Sequence, residues 1–275
     1  MTSAALTAGC AFLAFSPTFF LLVLMFHRKA HLIIIVTTSA FAFLIGSLFT
    51  SLVWLLVPSS LQTNPFLLIF PAVVCQALGR CGFVHMYHKV EGAIIASIRV
   101  HERQTCGGAR GAADNSSSTN EPMSESAKLT LELNDWSCGI ATGVGYGGMH
   151  ALMLYGTLLA SETGGMGTLY QSSCSIMPSI VNSALNAFLF SILDMVLVLL
   201  TFYGMKQRKT KEGVIALLAG VIFHTGAAFS TTPNGAQDGC KVSLPLVASF
   251  VLATLCFFQC YVARRFLPEV RYHQE

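Results

Sequence analysis

Seven apolar segments, each near the length of a membrane-spanning helix, constrain what this chain can fold into. A helix needs about 20 predominantly apolar residues to cross the hydrocarbon core of a bilayer. The sequence is 53% hydrophobic and 11% charged, whereas soluble domains carry about 25% charged residues. We therefore predict an all-α, polytopic membrane protein that forms a single seven-span domain over residues 1–275. The predicted spans are Ala4–Phe26, Leu32–Val57, Phe66–Ile98, Asp135–Ala160, Ile176–Met205, Val214–Thr232 and Val242–Phe266.

The positions of the positive charges predict the orientation of these spans. Fourteen of the sixteen lysines and arginines fall in regions that become cytoplasmic if the N-terminus is outside, in the lumen. The opposite side holds Lys241, and Arg80 lies within the third span. Because cytoplasmic loops are enriched in Lys and Arg, we predict a lumenal N-terminus and a cytoplasmic C-terminus. The basic clusters mark topology, and they contain no nucleic-acid-binding motif.

The segment between the third and fourth spans, residues 99–134, has a different composition. It is rich in Gly, Ser and Asn and has few large apolar residues. Such a segment cannot bury enough apolar surface to offset the entropy that it would lose on ordering. We predict that this segment is a disordered cytoplasmic loop.

The nine cysteines form no metal-binding pattern, because no CxxC pair occurs. Most of them fall within spans, where cysteine packs as a small apolar residue. Cys174 and Cys240 differ, since both fall in predicted lumenal loops, before the fifth and seventh spans. The lumen permits disulfide bonds. Our hypothesis is that these two cysteines pair, and no metal or cofactor is predicted.

A row of glycines occupies one face of the predicted fourth span. Gly139, Gly143 and Gly147 are four residues apart, and residues at this spacing share a helix face. Each glycine inside a helix costs about 1 kcal/mol relative to alanine. In membranes, small residues at this spacing let two helix backbones approach closely. The row therefore predicts a helix-packing groove, whose neighbour is either another span of this chain or another subunit.

Polar side chains inside the spans are costly, and they usually face the protein interior or water. Asp194 lies within the apolar run "FLFSILDMVLVLL" of the fifth span, with Asn182 and Asn186 nearer the lumen. His224 of the sixth span is the natural partner for this aspartate. Two interpretations remain: these groups line a wet intramembrane cavity, or they are buried side chains that link helices.

Motifs for intramembrane catalysis are missing from the sequence. The YD and GxGD contexts of intramembrane aspartyl proteases do not occur, nor do GxSG or HExxH. The chain also lacks the DRY-like and NPxxY motifs of seven-span receptors and a lysine within the last span. We predict no catalytic residue, and a small transporter or channel stays open as an alternative function.

Several short motifs resemble the anterior-pharynx-defective family, the scaffold subunits of gamma-secretase. The N-terminal "GCAFLAFSPTFFLL" is similar to the opening pattern of that family, and "CGIATGVG" to its fourth-span glycine motif. Further similar patches are "SLVWLLV", "LLIF" and "EGAIIASI", so the resemblance runs over nearly the whole chain. This sequence departs from the family pattern where Asp135 stands in place of a glycine. Asp194 likewise stands in place of a span-five histidine, and His224 is offset by about two residues from a span-six histidine.

The resemblance implies a non-catalytic scaffold with seven spans in the same orientation. Its implied partners are a presenilin-type aspartyl protease, a nicastrin-like glycoprotein and the presenilin-enhancer subunit. Together these subunits cut single-pass membrane proteins, as in the Notch signalling pathway. The implied location is the endoplasmic reticulum, Golgi, endosomal and plasma membranes.

Overall fold

The computed structural model describes residues 4–28, 32–58, 64–109, 135–156 and 174–263. Over these residues the all-helical prediction is confirmed: one isolated bridge joins Cys174 to Met177, and no strand is present in the described ranges. The helices, numbered in chain order, are α1 (Ala4–Arg28), α2 (Leu32–Leu56), α3 (Pro65–Ala109), α4 (Asp135–Ala151), α5 (Ser179–Lys206), α6 (Lys211–Phe229) and α7 (Cys240–Phe257). Short π-helical turns follow α4, at Leu152–Gly156, and α7, at Phe258–Ala263.

Six of these helices are long and apolar enough to cross a membrane. The remaining one, α4, has 17 residues, and its π-helical turn extends it to Gly156. Its predicted end at Ala160 lies outside the described residues. The structure therefore describes an integral membrane protein with six clear candidate spans, and the seven-span count stays a prediction.

Helix α3 is longer than its predicted span. It runs from Pro65 to Ala109, past the expected end at Ile98 and into the segment predicted to be disordered. After Pro71, no proline interrupts this helix, so its backbone hydrogen bonds can continue beyond the apolar part. The structure describes residues 99–109 as the end of this helix, and residues 110–134 lie outside its described part, so the disordered loop over 99–134 stays a prediction.

Helix α5 is the centre of the fold. In its most apolar stretch 67% of the residues are buried, compared with 17% in α1 and 22% in α2. Leu193, Leu197 and Leu200 on this helix are fully buried. Helices α1, α4, α6 and α7 all pack against α5. The polar side chains of Asn182, Asn186 and Asp194 on α5 are buried and therefore meet other parts of the protein and not lipid.

The glycine row of α4 packs against α5 within the same chain. A β-carbon at Gly143 would lie 3.0 Å from the Met195 Cα, and one at Gly147 would lie 2.6 Å from the Ser191 carbonyl oxygen. At Gly139 the nearest atom would be a methyl carbon of Leu199, at 2.8 Å. These distances leave no room for a side chain. The sequence did not decide which helix packs against the glycine row. In the structure this helix is α5 of the same chain.

Two further glycines bring α4 close to other helices. A β-carbon at Gly145 would overlap the Ser39 hydroxyl of α2, and one at Gly148 would lie 2.7 Å from a Thr18 methyl carbon of α1. Helix α4 is therefore enclosed by α1, α2 and α5. Its glycines lower its intrinsic helix propensity, but they allow the backbone contacts that van der Waals packing inside a membrane requires.

The variant Gly143→Leu should destabilise the chain, because the new side chain would collide with the α5 backbone at Met195. Overpacking of this kind typically costs about 1–3 kcal/mol or more. The measurement is the melting temperature of the purified chain in detergent, which should fall by several degrees. Gly82→Leu is the matched control, since a β-carbon at Gly82 meets nothing within 4 Å. Equal melting temperatures for the two variants would remove the α4–α5 contact from the account of stability.

Candidate functional site

A charged pair lies in the middle of the helical bundle. Asp194 is fifteen residues after the start of α5 and twelve before its end, so it lies near the centre of the span. Its side chain is 1% exposed, and that of Arg80 from α3 is 3% exposed. The Arg80 Nη1 donates a hydrogen bond to Asp194 Oδ1 at 3.1 Å. The two formal charges cancel, which makes their burial in the membrane possible.

Two histidines extend this pair into a four-residue network. His150 of α4 donates from Nδ1 to Asp194 Oδ2, so both carboxylate oxygens accept hydrogen bonds. On the other side, Arg80 Nη2 lies 3.0 Å from Nδ1 of His224 on α6. A guanidinium has no acceptor, so His224 Nδ1 must be the acceptor of this bond. The network thus joins one side chain from each of α3, α4, α5 and α6, and we call these four residues the central polar network.

Aromatic rings enclose the His150 side of this network. The imidazole lies with its ring centre 5.3 Å from those of both Phe43 on α2 and Phe190 on α5. Its side chain is 17% exposed, which is more than that of Asp194 or Arg80. The rings hold the imidazole in place and reduce contact between water and the ion pair. This geometry is that of buried polar groups that link helices.

The two predicted asparagines belong to a second polar group, nearer the end of the bundle at which α5 begins. Asn186 donates its side-chain amide to the Asn182 carbonyl oxygen at 2.9 Å and to its side-chain oxygen at 3.0 Å. Asn182 in turn donates to the Asn234 side chain at 3.4 Å, and Ser243 also donates to this side chain. These bonds connect α5 to the α6–α7 connection and to α7. The structure therefore divides the predicted stripe into two groups that both connect helices.

The segment before α5 and the start of α7 are joined covalently. Cys174 and Cys240 form a disulfide, with their Cα atoms 6.1 Å apart. Beside it, the Ser175 backbone amide donates to Asp238 Oδ1 at 2.7 Å. Hydrogen bonds from the Ser175 side chain and backbone lower the pKa of the Asp238 carboxyl. The pair of cysteines proposed from the sequence is thus brought together where two connecting segments meet.

Asp135, the carboxylate at the start of α4, lies beside the last residue of α5, at the opposite end of the bundle from the disulfide and far from Asp194. Its Oδ2 lies 2.9 Å from Lys206 Nζ on α5, and its Oδ1 lies 3.9 Å from His88 Nδ1 on α3. Glu91 also contacts His88, at 3.4 Å. These side chains are of the types that can bind metal ions, but a lysine ammonium already neutralises Asp135. The group therefore ties the ends of α3, α4 and α5 together.

The sequence identified the central aspartate but not all of its partners. His224 was expected to pair with Asp194, whereas the structure places the Arg80 guanidinium between them. Arg80 and His150 were visible only as ionisable residues within spans. Their predicted depth in the membrane could have indicated that they contact Asp194, because ionisable side chains buried at similar depth tend to pair. The rotation of each helix about its axis, which decides the contact, is not readable from one sequence.

The variant Asp194→Leu should be strongly destabilising, because it leaves the Arg80 guanidinium buried without a counter-charge. Breaking a buried pair from one side costs about 3–5 kcal/mol, whereas replacing both partners by apolar residues is often near neutral. We therefore expect the double variant Arg80→Met/Asp194→Leu to recover much of the melting temperature lost by Asp194→Leu. A double variant less stable than either single variant would contradict this assignment of the ion pair.

The disulfide should appear as a mobility shift on reduction in gel electrophoresis of the whole chain. Cys174→Ser and Cys240→Ser should each abolish this shift, whereas Cys256→Ser, at a free and exposed cysteine, should retain it. The bond closes a loop of sequence separation 66, for which chain entropy predicts a stabilisation of at most about 4 kcal/mol. A shift that survives in Cys174→Ser would show a different pairing.

Comparison with known proteins agrees with the resemblance seen in the sequence motifs. A family model described as Aph-1 protein matches residues 5–265 of this chain. The protein "Gamma-secretase subunit APH1-like" of Arabidopsis thaliana is 26% identical over 257 residues, which cover 92% of this chain and 90% of that protein. Because the family model spans α1 to the end of the described fold, the central polar network lies inside the matched region. The chain therefore belongs to the Aph-1 family.

Proposed function

We propose that this chain is a non-catalytic scaffold subunit of a gamma-secretase-type intramembrane aspartyl protease complex. Family membership supports a role as a gamma-secretase subunit. The observation that carries the non-catalytic, structural part of the proposal is the closed hydrogen bonding of Asp194. This carboxylate is the conspicuous acid within the described spans, and both of its oxygens are engaged inside the protein.

An aspartyl protease needs two carboxylates that lie close together and share a proton. The groups that contact Asp194 are instead the Arg80 guanidinium and the His150 imidazole. Asp135 is held in an ion pair with Lys206 at the cytoplasmic end of the bundle. Neither acid is therefore arranged to activate water for attack on a peptide bond. The two catalytic aspartates would come from the presenilin-type partner.

The interior is built for rigidity, which is what a scaffold requires. Helix α5 is enclosed by its neighbours, α4 is held against it by the glycine row, and the central polar network fixes α3, α4, α5 and α6 relative to one another. Contacts within the chain thus fix the relative positions of its helices. The outer faces of α1, α2 and α3 carry large exposed apolar side chains, which are available to lipid and to the spans of partners.

The proposed topology has seven spans, a lumenal N-terminus and a cytoplasmic C-terminus. The disulfide at the α5 and α7 starts favours this orientation, because an oxidising lumen permits such a bond. The basic residues Lys206, Lys209 and Lys211 lie at the opposite end, as the positive-inside rule requires for a cytoplasmic loop. We place the complex in the endoplasmic reticulum, Golgi, endosomal and plasma membranes.

The proposed partners are a presenilin-type aspartyl protease, a nicastrin-like glycoprotein and the presenilin-enhancer subunit. Affinity purification of the tagged chain in a mild detergent, followed by mass spectrometry, should recover a protease with a GxGD motif and a single-span glycoprotein. A polytopic membrane protein with the same tag serves as the control for nonspecific recovery. Reproducible isolation of the chain alone, under conditions that preserve a known membrane complex, would favour a transporter or channel.

Protease activity separates a scaffold from a catalyst. In the purified complex, the double variant Arg80→Met/Asp194→Leu should keep cleavage of a single-span substrate within about tenfold per assembled complex. Removing a catalytic group from a protease typically costs at least about 10⁴-fold in turnover. A loss of that size with intact assembly would assign Asp194 to catalysis and overturn the proposal.

A further inference from the structure

A histidine and two carboxylates converge at the end of the bundle opposite the disulfide. His88 and Glu91 are three residues apart on α3, so they share one face of that helix, and Asp135 reaches them from the start of α4. One donor atom from each of these side chains lies within 4.8 Å of the other two. In the described part of the chain, no other group of three metal-ligating side chains is so arranged. We call these three residues the His88 cluster.

The donor atoms of the His88 cluster are separated as ligands of a common metal ion are. His88 Nδ1 lies 3.4 Å from Glu91 Oε2 and 3.9 Å from Asp135 Oδ1. Zinc bonds to imidazole nitrogen and carboxylate oxygen are about 2.0–2.2 Å long, so two ligands at tetrahedral angles lie roughly 3.3–3.6 Å apart. Ordinary N–H···O hydrogen bonds are shorter, about 2.7–3.2 Å. Neither carboxylate therefore binds the imidazole tightly, and a small rotation of Asp135 would direct all three donors at one ion.

Lys206 contacts the cluster without using the oxygen that a metal would need. Its Nζ lies 2.9 Å from Asp135 Oδ2, whereas Asp135 Oδ1 is the oxygen directed at His88. Carboxylates that bind metals are commonly held by a second polar partner in this way, which fixes their orientation. The ammonium neutralises one of the two carboxylates. With a neutral imidazole the cluster therefore keeps one net negative charge, which attracts a cation.

Aromatic rings position the His88 imidazole for this role. Its ring centre lies 5.4 Å from that of Tyr87 and 5.8 Å from that of Phe202 on α5. His88 Nε2 is buried and makes no hydrogen bond within the described ranges, so Nδ1 is the nitrogen that faces the carboxylates. The cluster is nevertheless open to solvent, since 29% of the His88 side chain is exposed. An ion and its remaining water ligands can thus reach Nδ1.

We propose that the His88 cluster binds a divalent transition-metal ion such as Zn²⁺. The ligands are His88 Nδ1, Glu91 Oε2 and Asp135 Oδ1, and water completes the coordination. Mg²⁺ and Ca²⁺ take oxygen ligands, whereas an imidazole nitrogen favours zinc and its neighbours in the first transition row. The bound ion would join α3 to the first turn of α4. No metal pattern was visible in the sequence, because Asp135 is distant from the other two ligands along the chain. The proposal goes beyond the proposed function and does not depend on it.

Zinc binding to the full-length chain tests the site. The chain is purified in detergent with a tag that contains no histidine, and Cys256→Ser/Cys260→Ser removes two free, exposed thiols that would bind the same metal. After treatment with a chelator, titration of Zn²⁺ against a chromophoric indicator should reveal one saturable site per chain. X-ray absorption at the zinc edge should show nitrogen and oxygen ligands at about 2.0–2.2 Å. Sulfur ligands at about 2.3 Å would assign the metal to other cysteines and overturn the proposal.

Variants of the three ligands separate this site from adventitious binding. His88→Ala, Glu91→Gln and Asp135→Asn should each lower the zinc affinity at least about tenfold, because even a group that only orients a ligand contributes 10–100-fold. His85→Ala and Glu212→Gln are the matched controls. These two residues lie near the same end of the bundle and outside the cluster, so both variants should keep the affinity of the parent.

Thermal unfolding gives a second readout that distinguishes a lost ligand from a lost fold. Glu91→Gln leaves the ion pair between Asp135 and Lys206 in place, so its melting temperature without zinc should equal that of the parent. Zinc at about 100 times its dissociation constant should raise the melting temperature of the parent by several degrees. The same zinc concentration should leave Glu91→Gln nearly unchanged.

The remaining outcomes overturn the metal site without touching the proposed function, which is tested by the recovery of partners. A lack of saturable binding, or equal affinities for the parent and the three ligand variants, would show that the His88 cluster is an ion-pair network only. Weaker binding in His88→Ala alone, with both carboxylate variants unchanged, would show adventitious binding to a single histidine.

Discussion

The burial of one negative charge in the middle of the membrane is the constraint on which this structure depends. Moving an isolated carboxylate into a medium of low dielectric constant costs on the order of 20 kcal/mol in the idealised limit. Asp194 is therefore tolerated only because Arg80 and His150 reach it from two other helices, while Arg80 also donates to His224. The contact fixes the depth and rotation of four helices at once.

The glycines of α4 and the charged network support one another. Gly147 brings the α4 backbone against Ser191 of α5, three residues before Asp194. At that separation, His150 lies close enough to donate to the Asp194 carboxylate. A bulkier residue in the glycine row would push α4 outward and lengthen this hydrogen bond. Backbone packing and electrostatics thus select the same arrangement of α4 and α5.

This arrangement supports the proposed non-catalytic role of a chain with ionisable groups in its spans. The acid is neutralised inside the protein, and a disulfide joins the segment before α5 to the start of α7. What remains for interaction lies outside, on the exposed apolar faces of the outer helices. A rigid interior surrounded by such faces suits a protein that positions other membrane helices.

The sequence by itself determined the helical membrane fold, because long apolar runs in a membrane must satisfy their backbone hydrogen bonds within each helix. It also placed Gly139, Gly143 and Gly147 on one face, since helical periodicity is local, and its motifs indicated the family. Only the tertiary structure decided that α5 packs against this row of glycines and that the Arg80 side chain lies between those of Asp194 and His224. Such choices depend on the relative rotation and depth of helices that are distant in sequence, which no local pattern encodes.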